Sequence, residues 1–171
     1  MNYRNLHVRR ACADDIDAIR NVAQSQPDNG NLDSGWGIVG LRTLEACTRA
    51  DRCLVGDRDG RPVVAVTWSP DTRDPRCAVV SGFACTDDAG RAVDMVLAQL
   101  ESALVEDGYS RVTAVVPPSW NRLLQRHGFV ASRRTALVQA RGMAVIGHGF
   151  ERALAAVRRR TSMAVLATLS A

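Results

Sequence analysis

The 171-residue chain contains no lysine; all 22 of its basic residues are arginine. That choice reflects coding bias rather than a physical requirement, and no function is drawn from it. Long apolar runs are also missing. Runs such as Val63 to Val66 and Thr113 to Val116 fall far short of the roughly 20 residues that span a bilayer, so no membrane partner is expected. The segment from Met1 to Arg10 is charged and lacks the apolar stretch of a secretory signal, which makes a cytoplasmic location the expectation. Cys12, Cys47, Cys53, Cys77 and Cys85 are odd in number, and no two show the two-residue separation of metal and redox motifs. They read as reduced, mostly buried small hydrophobes. His7, His127 and His148 show no ligand spacing, so no metal is expected, and no repeat or low-complexity tract is present.

What remains is an ordinary globular composition, 46% hydrophobic and 23% charged, in a length that suits one domain with a packed core. The net charge of +4 is modest and acidic residues interleave with the arginines, so nucleic acid is not the expected partner. The mild positive bias suits a small polyanionic ligand.

Leu6 and Val8 read as a first strand. Asp14 then precedes Ile16, Ile19, Val22 and Ala23 in 3-and-4 spacing, which predicts a helix from Asp14 to Ser25 with Asp14 as N-cap. Gln26 to Gly40, rich in glycine and asparagine around Trp36, reads as a long connection, and Leu41, Leu44, Glu45 and Thr48 as a second helix. Cys53 to Gly56 and Pro62 to Trp68, joined through Asp59-Gly60, predict a hairpin, because Asp-Gly tolerates the positive φ of a tight turn. Cys77 to Phe83 is a further strand in which Gly82 marks a bulge or a close backbone approach.

From Gly90 the period changes: Val93, Val96, Leu97, Leu100, Ala103 and Leu104 share one helical stripe that Gly108 closes. Arg111 to Val116 is the next strand, stopped by Pro117-Pro118; Ser119 caps a short helix to Arg126, and strand resumes at Phe129. Phe150 to Arg159 reads as a last amphipathic helix, before an apolar tail from Met163 to Leu169. The expectation is therefore an α/β chain, a mixed sheet of six to seven strands with helices on both faces. Residues 1–142 form the domain, and 143–171 a helical extension packed on it or on a partner chain, which makes a homodimer an expectation.

Chemistry concentrates where the strand from Cys77 to Phe83 turns through Ala84 to Ala89 into the helix at Gly90. A strand feeding a small-residue turn into a helix N-terminus presents backbone N–H groups and the positive end of the helix dipole, an anion site fit for a pyrophosphate. The alternative is a plain helix start that needs small residues, with Asp87 or Asp88 as its cap.

Asp87-Asp88-Ala89-Gly90-Arg91-Ala92 resembles the Gln/Arg-x-x-Gly-x-Gly/Ala signature of the GNAT acyl-CoA N-acyltransferase superfamily, with Asp87 in place of the leading residue. The element order from about His7 to Arg141, the hairpin from Leu54 to Val63, and Leu123-Leu124-Gln125-Arg126-His127-Gly128-Phe129 are similar to the same superfamily. The resemblance implies a V-shaped opening between the strands at Cys77 to Phe83 and Arg111 to Val116. It implies acetyl-CoA, or another acyl-CoA, with its pantetheine arm paired to the backbone of Val80, Gly82 and Phe83. The pyrophosphate would rest on the amides of Asp88, Ala89, Gly90, Arg91, Ala92 and Val93. An amine, on a small molecule or a protein, would attack the thioester directly.

Glu45 and Asp33 are the acidic residues nearest the implied acceptor region and are candidate bases, or else surface residues. Ser81 lies near the thioester path, where it could polarise a water or simply fill the strand. Trp36 and Trp120 could line an acceptor pocket. Leu124 stands where the family commonly has the tyrosine that protonates the leaving thiolate, and Pro117 near its usual asparagine. Two alternatives therefore stand beside an acyltransferase: a catalytically silent module binding through the same cleft, and a related fold doing different CoA-thioester chemistry.

Overall fold

The computed structural model describes residues 5–25, 41–86, 89–140 and 143–154. Seven strands form one sheet: β1 (Leu6–Arg10), β2 (Cys53–Arg58), β3 (Arg61–Pro70), β4 (Cys77–Cys85), β5 (Arg111–Val116), β6 (Val130–Ala140) and β7 (Met143–Ala153). Their spatial order is β1-β2-β3-β4-β5-β7-β6. Every neighbouring pair is antiparallel except β4 and β5, the one parallel pair. Four helices complete the described chain: α1 (Ile16–Ser25), α2 (Leu41–Arg49), α3 (Arg91–Glu106) and α4 (Asn121–Arg126). Among the described residues no helix is long and apolar enough to cross a membrane.

Strand alternation sorts the side chains onto two faces. Leu54, Val64, Val66, Val80 and Phe83 join the α3 stripe of Ala92, Val93, Val96, Leu97, Leu100 and Leu104 in one large core. Val55 and Ala65 turn the other way, onto Ile19 of α1 and Leu44 of α2. Ala84 meets Val22 and Ala23 of α1. Helices thus cover both faces of a mixed sheet, as the sequence predicts. The hairpin between β2 and β3 turns at Asp59 (φ 52°) and Gly60 (φ 76°), the two consecutive left-handed residues of a type I′ turn.

Three expectations need correction. The stretch from Phe150 is not helical: it finishes β7, which pairs with β5 on one side and β6 on the other. Spacing alone favours a helix there, but pairing to β5 along Phe150 to Ala153, and to β6 at Phe150 and Glu151, satisfies the backbone as strand and overrides that local preference. Gly149 permits this, since a Cβ at that position would come within 2.7 Å of Arg134 Cβ on β6. Residues 143–153 consequently lie inside the sheet, while 155–171, with the apolar tail and the rest of the expected helix, lie outside the described residues.

The second correction concerns the start of α1. Its first turn is a 3₁₀ turn at Ala13–Asp15, and Asp15 rather than Asp14 accepts the hydrogen bond from an orphan amide, that of Cys12 at 2.7 Å. Asp14 is exposed. The third concerns α4, which begins at Asn121 after a 3₁₀ turn at Pro118–Trp120; Ser119 sits within that turn and makes no capping bond.

Asp15 matters beyond capping. Arg9 on β1 donates from Nη1 and Nη2 to its two oxygens at 2.6 and 2.7 Å, and from Nε to Asp57 of β2 at 2.7 Å. The guanidinium beside it holds the Asp15 carboxyl down at about 2, despite the opposing cost of burial. One arginine thereby fastens the first strand, the second strand and the first turn together.

Candidate active site

The β4–β5 ladder is short. Cys77 pairs with Arg111, Ala78 with Val112 and Val79 with Thr113, and there it stops. β4 runs on to Cys85 and β5 to Val116 without pairing to each other, so the two parallel strands splay at their C-terminal ends. Past Val79, β4 stays paired to β3, Ser81 excepted, while its ladder to β5 does not continue. A strand that has parted from its neighbour is a ready-made site for an extended ligand with amide groups of its own.

β4 also carries an extra residue. Gly82 opposes Thr67 and Val80 opposes Trp68, which leaves Ser81 with no cross-strand partner. This is the irregularity that Gly82 signals in the sequence, centred one residue earlier. Ser81 is half-buried; its Oγ lies 3.1 Å from Oγ1 of the buried Thr67 and 3.9 Å from Sγ of Cys47 on α2. Cys47 Sγ in turn donates to the Trp68 carbonyl at 3.5 Å. Burial pushes the Cys47 thiol up, against the smaller effect of Ser81, so Cys47 is a neutral thiol.

The opening runs to the N-terminus of α3. Gly90, the N-cap, has φ 37° and ψ −106°, a backbone geometry closed to ordinary L-residues. Ala89 donates its N–H to Thr86, Ala92 to Ala89 and Val93 to Gly90, at 3.0, 2.8 and 3.1 Å. Those three amides of the implied anion site are engaged locally, and the side chains of Ala89, Ala92 and Val93 belong to the core. Gly90 and Arg91 are exposed at the same corner. Further along α3, Asp94 Oδ1 receives Arg126 Nη2 at 2.7 Å and lies 2.8 Å from His127 Nε2. Partial burial raises its pKa, yet those two partners outweigh it and hold the carboxyl below its ordinary value. The acidic group in the early part of α3 is thus neutralised by α4.

Across the opening, the Phe83 ring of β4 meets Trp120 edge-on, 4.7 Å between centroids at 74°. Leu124 is fully buried in the α3-side core. A hydrocarbon there supplies no proton, and Pro117, also buried, no side-chain amide. Beyond the end of β5, Asn121 Nδ2 lies 2.8 Å from Nδ1 of His148, whose backbone pairs with Val116.

The expected site residues therefore divide. Val80, Ser81, Gly82 and Phe83 lie on the open stretch of β4, with Ala89, Gly90, Arg91, Ala92 and Val93 at the corner it leads to, and Trp120 across from them. Glu45 is on α2, half-buried and 3.7 Å from Arg49, an i,i+4 pair on its own helix. Asp33, Trp36 and Asp88 lie outside the described residues. Thr67 and Cys47 are the polar groups that sequence reasoning missed. No spacing links them to Ser81; only strand register and the packing of α2 do.

No family model matches the chain, and no curated protein matches it. Solved structures do. A GNAT superfamily phosphinothricin acetyltransferase from Sinorhizobium meliloti, in complex with AcCoA, superposes with a TM-score of 0.69 at 16% identity, over 88% of this chain and 89% of that one. Ard1 from Thermoplasma volcanium gives 0.67 at 16% identity, over 88% and 98%. N-acetylglutamate synthase from Neisseria gonorrhoeae, complexed with coenzyme A and N-acetyl-glutamate, gives 0.65 at 15% identity over 90% of this chain, which spans 36% of that longer one. Identities this low speak to architecture alone, and on that ground the chain has the fold of the GNAT acyl-CoA N-acyltransferases.

Proposed function

We propose that this protein binds an acyl-CoA, acetyl-CoA in the first instance, and transfers its acyl group to an amine. The observation that carries this reading is the end of the β4–β5 ladder at Val79 and Thr113, past which β4 runs on without β5 towards the first turn of α3. A pantetheine arm is extended and carries two amides, so it suits an unpaired strand edge. A diphosphate suits a helix N-terminus. Since Ala89, Ala92 and Val93 spend their amides locally, the N–H groups of Gly90 and Arg91 and the Arg91 guanidinium are the assigned diphosphate contacts.

The chemistry asks little of the protein. A neutral amine held against the thioester carbonyl attacks it directly, and positioning supplies much of the rate. Ser81, on the bulge of the open strand, is assigned the contact to the attacking group; Glu45 and Asp33 are the carboxylates to test as bases, and Trp36 and Trp120 as walls of the acceptor pocket. With Leu124 buried and apolar, the departing thiolate takes its proton from water rather than from a side chain at that position. A small-molecule or protein amine, a cytoplasmic setting and a homodimer complete the reading, and no nucleic acid or membrane partner is included.

The same Leu124 and Pro117 favour a second reading, a silent module that binds acyl-CoA without turnover or uses it in different thioester chemistry. Calorimetric titration with acetyl-CoA, followed by thiol release across a panel of primary amines, separates them. Binding with amine-dependent thiol release is the expected result. Binding without release selects the second reading, and no binding overturns both.

A further inference from the structure

The polar side chains at the bulge form a chain of contacts in an otherwise apolar setting. Thr67 is 1% exposed, its neighbours along β3 are Val66 and Trp68 with no exposure at all, and its Oγ1 lies 3.1 Å from Ser81 Oγ. A buried hydroxyl is costly unless it is hydrogen-bonded, and this contact, with one to the Cys47 thiol, satisfies it. Cys47 gives its one proton to the Trp68 carbonyl, so at the 3.9 Å contact with Ser81 it can only accept. Ser81 has no cross-strand partner on β3 and no ladder towards β5. Its side chain is therefore oriented by Thr67 and Cys47 from behind.

We infer that Thr67 is a positioning residue for acyl transfer: the buried hydroxyl fixes the rotamer of Ser81, so that the serine oxygen can accept a hydrogen bond from the attacking amine at the bulge. This inference rests on the acyltransferase reading above. In the step it serves, the amine nitrogen forms the new C–N bond and the C–S bond breaks. The sulfur leaves as thiolate, and the proton shed by nitrogen passes through water to that thiolate. Ser81 ends the step unchanged: its side-chain contacts among the described residues are a threonine hydroxyl and a neutral thiol, neither of them a base that would ionise it.

The test uses acetyl-CoA and the amine of the panel that gives the fastest thiol release, with an amine-free control. Thr67→Val keeps the shape and removes the hydroxyl. It is expected to lower kcat on the order of tenfold, as misplacement of a reacting group does, while KM for acetyl-CoA stays within about twofold. Thr67→Ser should restore most of the loss. In a Ser81→Ala background Thr67→Val should have no further effect, because the threonine acts only through the serine. A Thr67→Val enzyme with wild-type kcat, a loss that Thr67→Ser does not rescue, or additive losses in the double variant would overturn the positioning role. Acetyl-CoA bound by the wild-type protein without any thiol release would overturn it too. Failure to bind acetyl-CoA at all would instead bring down the acyltransferase reading beneath it.

Discussion

Val79 and Thr113 are the last residues at which the two parallel strands are paired; one residue further on, Val80 and Ala114 belong to strands that have parted. A parallel ladder abandoned in mid-sheet costs backbone hydrogen bonds on both strands, and buried backbone groups are seldom left unpaired. The side chains nearby show how the opening is kept from collapsing: Phe83 and Trp120 meet across it.

That aromatic contact gives the first prediction. A ligand arm entering beside Val80 to Phe83 changes the surroundings of Trp120, so saturating coenzyme A should shift or quench the tryptophan emission. In a Trp36→Phe background, the further Trp120→Phe change should abolish most of that signal, because the remaining Trp68 is fully buried in the core. An unchanged spectrum at saturation speaks against ligand entry at this place.

Gly90 gives the second. With φ 37° and ψ −106° its backbone is out of reach of a side chain without strain of roughly 1–3 kcal/mol. Gly90→Val should therefore either lower the melting temperature or relax the corner and misplace the N–H groups of Gly90 and Arg91. The affinity for coenzyme A is expected to fall about tenfold or more, as calorimetry would read. Arg91→Glu, on an exposed position, should weaken binding with no loss of stability.

The third concerns acid. The Asp15 carboxyl titrates at about 2 when folded and nearer 3.8 when unfolded, because Arg9 favours its charged form. A lowered folded pKa means stability that is complete above about pH 4 and lost as the pH falls towards 2, worth about 2 kcal/mol at neutral pH. Asp15→Asn should show that deficit in denaturant melts at pH 7 and a smaller one at pH 2. An equal deficit at both would mean that the ion pair is not its source.

Leu124 supplies the fourth. Replacing it with the tyrosine common in the family does not restore an acid. The site is fully buried against the α3 stripe, so the larger ring overpacks it and carries a hydroxyl into apolar surroundings. Leu124→Tyr is expected to cost about 1–3 kcal/mol and to leave thiol release no faster; a gain in rate without loss of stability would contradict this placement.

Much of this architecture was legible in the residues. The α3 stripe from Val93 to Leu104, the Asp59-Gly60 turn and the stop at Pro117-Pro118 are local signals, and each falls where the sequence predicts. The helix expected from Phe150 fails because a central strand is stabilised by ladders on both sides, which local periodicity does not encode. The site was half legible. Gly82 stands next to the bulge at Ser81, and Gly90 announces the corner through a backbone requirement written in a single residue. Thr67 and Cys47 left no sign, as their meeting with Ser81 joins β3 and α2 to β4 through tertiary packing alone.

If the stretch of β4 that has parted from β5 receives the pantetheine arm, backbone amide hydrogen exchange will report it. Saturating coenzyme A should slow exchange over Val80 to Cys85 and the first turn of α3, with β1 and β2 unaffected. Exchange along β4 that stays the same with coenzyme A bound would place the arm elsewhere.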